Sequence, residues 1–158
     1  MMLNFVNLKN IEEVLQLEVR QWRNDRAVTK FFQIIEIDQE THLKWLKSLQ
    51  EDNPKNIAFV IQEGGNNIGL VYFSKINYER QDSDWGMYIK DENYRGKGIG
   101  TEVMNWSFNY LSQIGIKTLN LEVLKNNPIA INLYEKMGFV YVGDKNKKVS
   151  CYRKLLNG

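Results

Sequence analysis

The stretch Asn93-Tyr94-Arg95-Gly96-Lys97-Gly98-Ile99-Gly100-Thr101 lies between a β-rich run, Trp85 to Lys90, and a helical stripe made by Ile99, Val103, Trp106 and Tyr110. Three glycines therefore stand where a helix must begin. Free backbone N–H groups and the positive end of the helix dipole converge at such a point, and glycine lets a ligand approach without side-chain obstruction. The loop favours phosphate, and Arg95 and Lys97 add positive charge. Two familiar phosphate loops are excluded by spacing. The Gly-x-x-x-x-Gly-Lys-Ser/Thr of a P-loop is absent, and Thr101 stands where a dinucleotide fingerprint needs glycine. A solvated strand-to-helix turn is the plain alternative.

Outward from this loop the elements follow from periodicity. Met104, Phe108 and Leu111 broaden the helical stripe toward a deeply packed helix, which Gly115 should terminate. Leu119, Leu121 and Val123 alternate with Asn120 and Glu122 as in a half-buried strand. Asn127-Pro128 reads as the cap and first turn of a short helix, Ile129 to Met137, stopped by Gly138. Phe139 to Val142 and Val149 to Leu155 read as closing strands. Toward the N-terminus, Ile57 to Gln62 and Ile68 to Ile76 form a hairpin across Gly64-Gly65-Asn66-Asn67. A helix carrying His42, Trp45 and Leu49 should start at Asp38, and an earlier one carries Ile11, Leu15, Val19 and Trp22 after a strand from Leu3 to Leu8. The order is β-α-α-β-β-β-α-β-α-β-β.

The 158 residues, 43% hydrophobic and 25% charged, predict one domain over 1–158 with a core that needs no staples. Twenty-one Lys and Arg against 19 Asp and Glu, spread along the chain, give no support for nucleic-acid binding. No apolar run approaches the roughly 20 residues that span a bilayer, and the start MMLNFVNLKN lacks the features of a signal peptide, so a cytoplasmic protein without membrane partners is expected. Cys151 and His42 are the only residues of their types, which excludes an intrachain disulfide and a Cys/His zinc site, and no metal is expected.

The pattern Arg95-x-x-Gly98-x-Gly100 after a strand resembles the acetyl-CoA pyrophosphate loop of the GNAT superfamily of N-acetyltransferases. Asn127-Pro-Ile-Ala-Ile-Asn-Leu-Tyr134-Glu-Lys-Met-Gly138-Phe139 is similar to that superfamily's second signature. Both motifs occur in the right order, one helix and one strand apart. The resemblance implies an α/β (α+β) fold with a mixed sheet of about seven strands and about four helices, splayed between the fourth and fifth strands. It also implies an acetyl-CoA-dependent enzyme, and it leaves a homodimer open.

Amide formation from a thioester needs a neutral amine, oxyanion stabilisation and a proton for the departing thiolate. The resemblance implies that unpaired N–H groups around Tyr88, Ile89 and Lys90 receive the pantetheine arm and the thioester carbonyl. The loop residues Arg95, Gly96, Lys97, Gly98, Ile99, Gly100 and Thr101 would then receive the pyrophosphate. Tyr134 is carried over as the general acid, its phenol being protonated at neutral pH. Asn127 caps its helix and, by resemblance, bonds a pantetheine amide. Asp84 and Glu122 are both acidic candidates for the base, with solvated carboxylates the simpler reading.

In this superfamily the first two helices shape the acceptor site. Glu18-Val-Arg-Gln-Trp22-Arg23-Asn24-Asp25-Arg26-Ala-Val28, with a later His42-Leu-Lys-Trp45-Leu46, resembles the amino-sugar N-acetyltransferases of the pseudaminic-acid pathway. Trp22 would stack on a uracil or sugar, Arg23 would bind a diphosphate or hydroxyl, Asn24 would hydrogen-bond, and His42 would touch the acceptor. The acceptor would then be the 4-amino group of a UDP-linked 4-amino-4,6-dideoxy sugar. A polyamine or protein N-terminus of the ribosomal-protein type is the alternative acceptor, favoured by Glu18, Asp25, Glu36, Asp38 and Glu40. A non-catalytic acetyl-CoA-binding module is the third reading.

Overall fold

The computed structural model describes residues 2–34 and 36–156, so Met1, Ile35, Asn157 and Gly158 of the expected 1–158 domain lie outside it. Its elements are β1 (Leu3–Asn7), a 3-10 turn, α1 (Glu13–Asn24), the one-turn α2 (Arg26–Thr29), α3 (Gln39–Ser48), β2 (Ile57–Glu63) and β3 (Asn66–Asn77). They continue with β4 (Asp82–Ile89), a second 3-10 turn, α4 (Ile99–Gln113), β5 (Thr118–Leu124), α5 (Pro128–Lys136), β6 (Val140–Asp144) and β7 (Val149–Leu155). The expected order is present, with α2 added directly after α1. Asp25 supplies the reason for this extra turn: its extended backbone ends α1, and its carboxylate then accepts from the Ala27 N–H and caps the new turn.

The seven strands form one sheet in the order β1-β2-β3-β4-β5-β7-β6. All neighbouring pairs are antiparallel except β4 with β5, which is parallel. That pair is brief. Asp82, Ser83 and Asp84 lie opposite Thr118, Leu119 and Asn120, and beyond them both strands run on without pairing to each other. The sheet is therefore splayed between its fourth and fifth strands.

Strand alternation sends side chains to two separate cores. Val71, Phe73 and Trp85 pack with Val103, Met104 and Leu111 of α4, and α5 lies against the same cluster. On the opposite face Val60, Leu70 and Tyr88 pack with Val19 and Trp22 of α1, and Trp45 and Leu46 of α3 join them. The site is positioned by these two layers holding β4 from both sides.

One buried polar contact pins β4 to α4. The Trp85 indole Nε1 donates to the Ser107 hydroxyl at 3.0 Å, and that hydroxyl donates to the Val103 carbonyl at 2.7 Å. Ser107→Ala removes the acceptor and leaves the indole N–H unpaired in the core, which costs about 1–3 kcal/mol. Urea unfolding should show a lower midpoint with an unchanged m-value.

Candidate active site

The loop before α4 is shaped by two left-handed glycines, Gly96 at φ 73° and Gly98 at φ 78°, the latter being the N-cap of the helix. The first intrahelical bond runs from the Glu102 N–H to the Gly98 carbonyl at 3.3 Å. The N–H groups of Ile99, Gly100 and Thr101 precede it and face outward at the positive end of the helix. A Cβ on Gly98 would meet no atom within 4 Å, so the positive φ, not space within the protein, demands glycine there. Gly100 has another reason. A Cβ there would come within 2.8 Å of Leu133 Cδ2, so its absence lets α5 pack on α4.

The positive charges of the loop divide. Lys97 is exposed with its ammonium 5.9 Å from the Tyr94 ring, whereas Arg95 is committed. Arg95 Nη2 donates to the Ala27 carbonyl at 2.9 Å and the Ile89 carbonyl at 2.8 Å, and Nη1 lies 3.5 Å from Glu92. Its guanidinium thus braces the loop against α2 and the end of β4 instead of presenting charge to a phosphate, which corrects the sequence expectation.

A second correction concerns the strand edge. The Lys90 N–H donates to the Ile68 carbonyl at 2.8 Å, and residues of an antiparallel strand alternate between facing their partner and facing away. Tyr88, opposite Leu70, therefore also turns its peptide group to β3. Trp85, Met87 and Ile89 turn theirs toward the splay, so of the three residues expected there only Ile89 offers its N–H. Met87 was missed, because the parity of a strand edge depends on where the pairing starts. The fit to acetyl-CoA is otherwise good: an unpaired strand edge and an outward helix N-terminus follow one another along the chain.

Tyr134 projects from α5 onto Trp85, the first β4 residue beyond the paired segment, with ring centroids 5.9 Å apart and planes at 85°. Burial pushes its phenol pKa up, so the proton is held at neutral pH. Asn127 caps α5 by accepting from the Ala130 N–H at 3.3 Å. Tyr72 lies across the other face of β4: a Cβ on Gly86 would meet its ring and hydroxyl at 2.5–2.6 Å. Burial pushes the Tyr72 pKa up to about 12. Asp84, the last β4 residue paired to β5, shares the Tyr88 face, and burial raises its carboxyl pKa. Glu122 is held by Lys145 at 3.1 Å.

A cavity of about 250 Å³ opens between α1, α3 and the β3–β4 face, walled by Phe32, Trp45, Tyr72 and Tyr88. Arg23 and His42 are among its lining residues. The guanidinium of Arg23 lies 3.9 Å over the Phe32 ring, and its Nη2 donates to the Ile34 carbonyl at 2.7 Å. His42 donates from Nε2 to the Gln16 carbonyl at 2.8 Å, and burial lowers its pKa, keeping it neutral. Trp22 and Asn24 do not line the cavity. Trp22 is 7% exposed, on the buried stripe of α1, with its indole N–H given to Glu18 at 2.9 Å. Asn24 accepts from the Ile37 N–H at 2.8 Å and donates to the Ile37 carbonyl at 2.9 Å, so its amide is spent on closing the α2–α3 loop. The aromatic wall was not found from sequence, where Phe32, Tyr72 and Tyr88 have no distinguishing signal beyond their strand and loop positions.

Among the described residues there is no group of three or more His, Cys, Asp or Glu side chains that could hold a metal ion, and no helix long and apolar enough to cross a membrane. The sequence profile of the acetyltransferase (GNAT) family matches residues 11–139. Acetyltransferase PseH of Campylobacter jejuni subsp. jejuni (serotype O:23/36, strain 81-176) is 31% identical over 153 residues, covering 94% of each chain. The crystal structure of Campylobacter jejuni N-acetyltransferase PseH in complex with acetyl coenzyme A superposes with a TM-score of 0.71 at 23% identity, covering 99% of this chain and 100% of that one. That of spermidine N-acetyltransferase from Vibrio cholerae in complex with CoA and spermine superposes at 0.82, with 23% identity and 98% and 95% of the two chains covered.

Gly98→Val should weaken acetyl-CoA binding, because valine resists the left-handed conformation that aims the loop N–H groups. Loss of one hydrogen bond to a charged group, about 1.5–3 kcal/mol, corresponds to roughly tenfold or more in Kd. Calorimetry on a variant with unaltered circular dichroism measures it, and an unchanged Kd would remove the loop from the cofactor site.

Proposed function

Because the chain belongs to the acetyltransferase (GNAT) family, it is an acetyl-CoA-dependent N-acetyltransferase, and we propose that it acetylates the 4-amino group of a UDP-linked 4-amino-4,6-dideoxy sugar. The observation that carries this reading is the lining of the acceptor cavity: Arg20 and Arg23 line it, and among the described residues no Asp or Glu does. A polyamine is cationic along its length and would need carboxylates there. The Vibrio cholerae structure keeps the polyamine in view, but its likeness is one of fold. The 31% identical acetyltransferase PseH supports the sugar, in line with the resemblance of the Trp22-Arg23-Asn24 and His42 segments to amino-sugar N-acetyltransferases.

In this reading Gly96, Lys97, Gly98, Ile99, Gly100 and Thr101 hold the pyrophosphate, and the Met87 and Ile89 edge with Asn127 holds the pantetheine arm. Acetyl-CoA supplies the acetyl group as a thioester. The strand-edge N–H groups are pre-aimed donors for an oxyanion and need no reorganisation as charge develops. Tyr134, protonated at neutral pH by its buried setting, gives the leaving sulfur its proton. Tyr72 and Asp84 stand on the opposite face of β4, where the amine arrives. Asp84, whose carboxyl pKa is raised by burial, takes the amine proton through solvent. Arg23 and His42 orient the acceptor. Trp22 and Asn24 serve by holding the cavity wall and the loop above it.

Two measurements test the proposal. Tyr134→Phe should lower kcat on the order of 10²-fold with acetyl-CoA affinity retained, as expected for loss of a general acid. Arg23→Ala should raise KM for the sugar nucleotide, whereas for a polyamine it should lower KM or leave it unchanged by removing like charge. A parent enzyme that acetylates spermidine efficiently and ignores UDP-linked amino sugars refutes the acceptor proposed.

A further inference from the structure

Position 86 on β4 is a notch filled by another residue's ring. Tyr72 of β3 lies opposite Gly86 in the antiparallel register, and a Cβ on Gly86 would stand 2.5–2.6 Å from Cζ, Cε2 and the hydroxyl oxygen of Tyr72. The far end of the ring, hydroxyl included, therefore lies over the Gly86 backbone. Gly86 is not among the glycines with a left-handed φ, so its backbone accepts alanine and the Tyr72 ring alone excludes a side chain. The next residue, Met87, turns its N–H into the splay. The Tyr72 hydroxyl thus stands beside the strand edge that would receive the thioester carbonyl, on the face of β4 from which the amine arrives.

A neutral amine attacks with its lone pair, so while it does so it can bond the enzyme only through its N–H groups, and these need an acceptor atom. Few groups on that side supply one. Arg20 and Arg23 of the cavity wall only donate. Thr41 and His42 belong to α3, across the cavity from β4. The Tyr88 hydroxyl is sealed from solvent. Asp84 is not part of the cavity wall, and Lys75 lies 3.8 Å from its carboxylate. Tyr72 is half-buried, lines the cavity and reaches the strand edge.

The setting of Tyr72 suits an acceptor that keeps its own proton. Burial pushes its phenol pKa up to about 12, so it stays a phenol and is not the base, yet its oxygen retains lone pairs for an N–H. From the other side of β4, Tyr134 senses it. Burial first, and the Tyr72 phenol second, hold the Tyr134 proton in place.

We infer that Tyr72 is a catalytic residue of the acetyl transfer: its hydroxyl oxygen accepts an N–H of the arriving amine and aims the nitrogen lone pair at the thioester carbon beside the Gly86 notch. This rests on the reading of the splay as the acetyl-transfer site, and it applies to any primary amine. The C–N bond forms from that lone pair, and the C–S bond breaks with its electron pair on sulfur. Tyr134 protonates the sulfur, Asp84 takes the surplus amine proton through solvent, and solvent returns one to Tyr134. Tyr72 neither gains nor loses a proton.

Tyr72→Phe keeps the ring over Gly86 and removes the oxygen. Its kcat should fall about tenfold, the worth of one hydrogen bond, with the UDP-linked 4-amino-4,6-dideoxy sugar and with spermidine alike. Its Kd for acetyl-CoA should match the parent's. Gly86→Ala leaves the hydroxyl on the ring but pushes it aside, and should lower kcat by a similar factor. The double variant should be no slower than Tyr72→Phe, because moving a ring that has no hydroxyl takes nothing further from the reaction, whereas two independent packing defects would multiply. A parent enzyme that acetylates spermidine and ignores the sugar nucleotide removes the acceptor proposed above, and the same three variants assayed on spermidine still decide the role of Tyr72. An unchanged kcat in Tyr72→Phe, or losses that multiply in the double variant, overturns it.

Discussion

A parallel strand pair that holds for three residues and then separates leaves the peptide groups of Met87 and Ile89 without the partner that a continuous sheet would supply. Buried peptide groups must be paired by something, and an exposed edge is a template for an extended chain. The splay is affordable because β4 is secured elsewhere: antiparallel pairing to β3 along its length, the Trp85–Ser107 hydrogen bond on one face, and the Tyr88 cluster on the other. A rigid strand with one free edge is what a thioester-bearing arm requires, since donors aimed in advance cost nothing to reorganise.

Arg95 couples this edge to both ligand regions. One guanidinium nitrogen bonds the last carbonyl of β4 and the Ala27 carbonyl of α2, and the residue itself opens the glycine loop. The loop that would receive the pyrophosphate is therefore braced by the same helical turn that lies beside Arg23 in sequence. A displacement of α2 would be felt at the loop through two hydrogen bonds of 2.8 and 2.9 Å. The charge that the sequence offers to a phosphate is used to hold the phosphate loop in register with the acceptor helices.

The strands and long helices were legible because their signals are local: the 2-residue and 3.6-residue periods, the Gly64-Gly65 turn, and the Asp38 and Asn127 caps all act within a few residues. The glycine loop was legible for the same reason. What sequence could not give depends on pairing over distance. Whether Tyr88 or Met87 offers its N–H to the cleft is set by Lys90 bonding Ile68, 22 residues earlier in the chain. Asn24 looked like a ligand-binding amide, and only the fold brings Ile37 to it. Trp22 could have served as a stacking platform or as core. Its burial against Val19, Leu70 and Tyr88, its indole N–H given to Glu18 and its absence from the cavity lining settle that.

In the proposed reading the two faces of β4 divide the chemistry. Tyr134 meets the strand from the α4–α5 side at Trp85, and Tyr72 meets it from the α1–α3 side at Gly86, one residue further on. A side chain at position 86 would collide with Tyr72, so the glycine there is what allows a phenol from β3 to reach over β4 toward the splay. Proton donation to a leaving group and approach of an amine need opposite sides of a carbonyl carbon. A strand with its free edge in the plane, one phenol above and one below, supplies that separation by alternation alone, and nothing in the arrangement depends on which amine arrives. In the proposed reading acceptor choice is thereby left to the helical side of the cavity, Arg20 and Arg23 of α1 and His42 of α3, which can change while the strand that carries the reaction keeps its pairing.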